Sequence, residues 1–66
     1  MMSLTERMQV AAERSGVLAA VREWTEARDA VREGTLDQIG FDLVHSRLQA
    51  AQDRYVVILR QLRSEA

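Results

Sequence analysis

The sequence predicts an all-α fold, an antiparallel two-helix hairpin, and three observations carry that prediction. Proline is absent, and Ala, Arg, Glu, Gln and Leu, all good helix formers, dominate the 66 residues. A helix stop and a helix start stand side by side at Gly34-Thr35. Apolar residues recur at alternating spacings of three and four on both sides of that corner.

The first helix is expected over 3–33. Ser3-Leu4-Thr5-Glu6 fits a capping box, in which the serine hydroxyl meets the Glu6 amide and the glutamate reaches back. Gly34 suits the left-handed position that follows a helix, where a side chain is resisted. Thr35-Leu36-Asp37-Gln38 repeats the box and starts a second helix over 35–65, leaving a turn at 34–35. Each helix is then about 46 Å long at 1.5 Å per residue. Matched lengths across a tight turn predict the hairpin, one domain over 1–66. Two places leave alternatives open. Ser15-Gly16 can kink the first helix or divide it, giving three helices. Gly40 marks either a close approach to the first helix or a later start of the second, near Asp42.

The second helix carries a heptad seam at Phe41, Val44, Leu48, Ala51, Tyr55, Ile58 and Leu62. Val10, Val17, Val21, Trp24 and Val31 give the matching seam on the first, interrupted by Arg14 and Arg28. The expected hairpin core is therefore Val17, Val21, Trp24 and Val31 against Phe41, Val44, Leu48, Tyr55, Ile58 and Leu62.

A hairpin needs one apolar stripe per helix, and here there is more. Leu36, Leu43, Ala50 and Val57 recur every seven residues on the second helix, with Ile39 beside them at the turn end. Val56 and Leu59 widen the apolar surface at the other end. Leu4, Met8, Ala11 and Leu18 lie off the main seam of the first helix. Either the core is broad, or Leu36, Ile39, Leu43, Ala50 and Val57, with Leu4, Met8 and Leu18, form an interface. The interface reading predicts assembly into a four-helix bundle or docking on a helical partner.

Size and composition limit the rest. A chain this short has a marginal core unless disulfides, a metal or another chain reinforces it. Cysteine is absent and histidine occurs once, which excludes disulfides and leaves little for zinc. Nine cations, all arginine, against ten acids give a net charge of −1, no bias toward nucleic acid or anionic membrane. Arg54, Arg60 and Arg63 make one end basic, so a small dimeric nucleic-acid-associated regulator is the alternative to an interaction module. No apolar run approaches the ~18 residues of a membrane span, and a cytoplasmic protein is expected.

Asp42 and His45 stand at the i, i+3 spacing of diiron bundles, with Glu23 and Glu26 level with them. The heptad phase turns these carboxylates outward and leaves His45 at the flank. No metal, cofactor or catalytic residue is therefore assigned, and no enzyme activity is expected.

The Leu4…Arg7 start, the hairpin glycine Gly34, Phe41 early in the second helix, and Ile58-Leu59-Arg60-Gln61-Leu62 resemble the needle-subunit co-chaperones of type III secretion. That family consists of small helical hairpins. The resemblance implies a non-enzymatic partner of a tetratricopeptide-like chaperone, in a complex that keeps a polymerising subunit soluble.

Overall fold

The computed structural model describes residues 2–65, so Met1 and Ala66, the ends of the expected 1–66 domain, lie outside it. Three helices account for most of the chain, with no strand among the described residues: α1 (Leu4–Ser15), α2 (Val17–Glu33) and α3 (Gln38–Glu65). α1 and α2 follow one another along α3 and both pack against it, while touching each other little. The Cα trace measures 48 × 16 × 11 Å, a single layer two helices wide.

α1 begins as its sequence predicts. Ser3 Oγ accepts the Glu6 amide at 3.1 Å, and the same hydroxyl donates to Glu6 Oε1 at 3.2 Å. The expected single helix over 3–33 is divided at Gly16, which takes the left-handed conformation (φ 75°). Ser15 makes that corner viable. It is buried, its hydroxyl donates to the Ala12 carbonyl at 3.1 Å, and it accepts the Val17 amide at 3.2 Å. One side chain thus serves the end of α1 and the start of α2, groups a break would otherwise leave unpaired. From across the layer, Arg54 Nε donates to the Ser15 carbonyl at 3.2 Å.

The second corner differs from expectation in its details. Gly34 is left-handed (φ 79°) and donates to the Val31 carbonyl, as a helix stop should. Thr35 does not cap α3. Its amide and hydroxyl both donate to Ala30 O, at 2.9 and 3.2 Å, so it finishes α2 instead. α3 therefore starts at Gln38 rather than 35, with Asp37 Oδ1 accepting the Gly40 amide at 2.8 Å. The nearest neighbours of Gly40 are its own preceding residues: a Cβ there would lie 2.5 Å from Leu36 Cδ1, so the glycine makes room for Leu36 to fold across it.

The α3 side of the core follows the heptad seam. Val44, Leu48, Ala51 and Leu62 are buried, and Phe41, Tyr55 and Ile58 half-buried. The opposing side is built from smaller residues than expected. Ala11, Ser15 and Ala27 are its buried members, Val17 and Trp24 are half-buried, and Val21 and Val31 are exposed. The break at Gly16 explains part of this, because it resets the phase of α1 relative to α2. Ala11, expected off the seam, thereby becomes fully buried. Val21 stands about 100° around the helix from half-buried Ala20, away from α3. Val31 lies in the last turn of α2, where Gly34–Asp37 rather than another helical turn follows.

Gly16→Ala forces a side chain into the left-handed region, and destabilisation of about 1–2 kcal/mol is expected from chemical denaturation. Stability equal to the parent chain would mean that the corner is not held in this conformation.

Candidate partner interface

Ile39, Leu43, Ala50 and Val57 of the second stripe stand on one side of α3 and remain exposed, whereas Leu36 precedes the helix and folds across Gly40. Ile39 is 73% exposed, Leu43 63% and Val57 51%; Ala50 is exposed and Leu36 half-buried. Seven-residue spacing keeps Leu43, Ala50 and Val57 nearly in line along α3.

Beside the middle of this stripe runs a shallow trough of about 360 Å³. Gly16, Ala19, Ala20 and Ala50 form its floor, where the absence of long side chains leaves the space between α2 and α3 open. Its rim is polar and ordered. Arg47 pairs with Glu23 across the helices, and Arg54 is the residue bonded to the Ser15 carbonyl. The trough escaped the heptad reading because alanine scores weakly in a hydrophobic pattern. Its sequence signal is the small residues at Gly16, Ala19 and Ala20, one turn of helix after the break.

The first-helix residues expected in the same interface are not brought to this stripe. Leu4, 59% exposed, lines a separate groove of about 210 Å³ with Arg7, Val56, Leu59, Arg60 and Arg63. Val56 is one residue, hence about 100°, around α3 from Val57. That second groove has an apolar floor and three arginines with no acid, and Arg7 Nε is shielded there without a hydrogen-bond partner. Leu18 is 61% exposed but stands about 200° around α2 from Ala20 in the trough, pointing away from it. Met8, 44% exposed, lines neither groove.

At the turn end, an aromatic cluster clamps α2 to α3. Trp24 Nε1–H donates to His45 Nδ1 at 3.2 Å, the rings of Trp24 and Phe41 lie 5.9 Å apart, and Phe41 stacks on His45 at 6.2 Å. The Arg28 guanidinium sits 5.5 Å above the Trp24 ring. An accepting Nδ1 requires the neutral imidazole with its proton on Nε2. His45 is thus engaged structurally, while Asp42 accepts from Gln38 and Glu23 faces Arg47. Among the described residues, no three acidic or histidine side chains converge on a metal-sized position. No described helix is long and apolar enough to cross a membrane.

No family model, curated protein or solved structure matches this chain significantly.

His45→Ala removes the acceptor for the only indole in the chain. A loss of about 1 kcal/mol and a shift in the Trp24 emission maximum are expected. An unchanged emission spectrum would contradict the Trp24–His45 contact.

Proposed function

We propose that this chain is a non-enzymatic protein–protein interaction module, an adaptor, co-chaperone or oligomerisation unit, whose binding surface is the α3 stripe. The observation that carries this reading is the exposure of Ile39, Leu43 and Val57 in line with Ala50 on one helix face. Single exposed apolar residues are ordinary on protein surfaces, whereas several on one helix face mark a place that another surface covers. Burial of a Leu or Val side chain is worth about 1.5–3 kcal/mol, so two or three such residues supply useful affinity.

The form of the surface favours a helix as its occupant. A row at seven-residue spacing beside a small-residue trough is the pattern into which helical ridges pack. The resemblance to needle-subunit co-chaperones is a narrower version of the same reading, in which the apolar face docks on a larger helical chaperone. Both versions place the function in docking.

Leu43→Glu combined with Val57→Glu tests the surface. Both side chains are exposed, so the helical circular-dichroism signal is expected to persist. Binding of an apolar fluorescent dye, measured in dilute solution, should weaken at least about tenfold. Equal dye binding by variant and parent would remove the stripe as the binding surface.

A further inference from the structure

We infer that the groove between the start of α1 and the end of α3 receives an acidic segment of another protein, an apolar side chain flanked by carboxylates. This surface is separate from the α3 stripe, and the inference does not depend on the reading of that stripe. The groove is built from two helical faces. Val56, Leu59, Arg60 and Arg63 stand at the i, i+3, i+4, i+7 spacing that puts residues on one side of α3, and Leu4 and Arg7 stand about one turn apart on α1. Packing of α1 against α3 brings the two faces together. Aliphatic side chains and guanidiniums therefore share one concavity, and no described acid lines it.

Two of the three cations have an ordinary explanation, and the third does not. Arg60 and Arg63 complement the dipole at the C-terminal end of α3. Arg7 lies in the first turn of α1, its amide bonded to the Ser3 carbonyl at 3.0 Å, at the helix end where a cation is disfavoured. Its Nε is closed off from solvent without a hydrogen-bond partner. A guanidinium cannot relieve that cost by losing its proton. Arg28 Nε is shielded in the same way, but its guanidinium lies over the Trp24 ring, with Asp29 Oδ1 3.7 Å from Nε. Among the described residues no ion pair reaches Arg7, Arg60 or Arg63. An arriving anion offsets the poorly solvated charge, and the apolar surroundings strengthen the attraction.

Size narrows the ligand further. A volume of about 210 Å³ is below the ~300–1,000 Å³ of sites that enclose a small molecule. It suits one aliphatic side chain laid against Leu4, Val56 and Leu59, with the neighbouring residues of its chain at the arginine rim. Carboxylates match that rim best, because guanidinium and carboxylate pair through two parallel hydrogen bonds. Nucleic acid would also meet the arginines, but no aromatic side chain lines the groove to stack a base. An anionic membrane is opposed by the net charge of −1 on the chain.

Fluorescence anisotropy with a dye-labelled peptide, a leucine between two pairs of glutamates, tests the site on the intact chain. Arg7→Gln should weaken binding at least about tenfold, and so should Arg60→Gln combined with Arg63→Gln, whose exposed side chains leave the fold intact. Changing the peptide's glutamates to glutamines, or its leucine to serine, should cost about tenfold as well. Leu43→Glu, on α3 but away from the groove, should leave binding unchanged, and a loss there equal to that of the arginine variants would overturn the placement. Arginine variants that bind as the parent does, equal binding of the glutamine peptide, or no peptide binding at about 1 mM would overturn the inference. Binding only to phosphatidylserine vesicles, or only to single-stranded DNA, would overturn it in favour of a lipid or nucleic-acid ligand.

Discussion

A layer two helices wide and one helix deep can cover only one side of each helix. That constraint shapes everything else in this chain. α3 meets α1 and α2 along one seam, and no large side chain becomes fully buried among the described residues. What is buried best is small: Ala11 and Ala51 at 0% exposure. Alanines at the contact let helix axes approach closely, which compensates in packing density for what the layer lacks in thickness. The same geometry leaves a second apolar row on α3 with nothing in its own chain to face.

The Ser15-Gly16 corner is the device that fits two shorter helices to one long one. Gly16 supplies a backbone conformation that other residues resist, Ser15 satisfies groups on both sides of the break, and Arg54 ties the corner to α3. The corner also creates the trough, because the first turn of α2 after it presents Ala19 and Ala20 beside Ala50. Local backbone chemistry and the shape of the candidate interface are therefore linked. A continuous first helix would present a different surface at this level.

The sequence was informative where a feature is local. The Ser3–Glu6 cap, the left-handed Gly34 and the α3 seam all depend on residues within a few positions of each other. Reading failed where two residues competed or where the partner was distant. Thr35 and Asp37 both suit a helix start; the carboxylate of Asp37 reached the Gly40 amide, and Thr35 was drawn to the Ala30 carbonyl. Val21 outranks Ala27 in any hydrophobic pattern, yet Ala27 is buried and Val21 exposed, since the contact rewards close approach. The Trp24–His45 bond spans 21 positions and depends on the interhelical register, which no single helix encodes. For the candidate interface, the α3 row was legible from its seven-residue period. The assignment of Leu4, Met8 and Leu18 to the same surface was not, because it required the phase of α1 and α2 across the break.

In the proposed reading, the exposed row on α3 is half of a core that a second molecule completes. Mass in solution, by light scattering or sedimentation at tens of micromolar, tests this most directly. A closed pair gives about 15 kDa, twice the 7.5 kDa of the chain. A well-folded species that stays at 7.5 kDa under those conditions would show that the row does not bring two copies of this chain together.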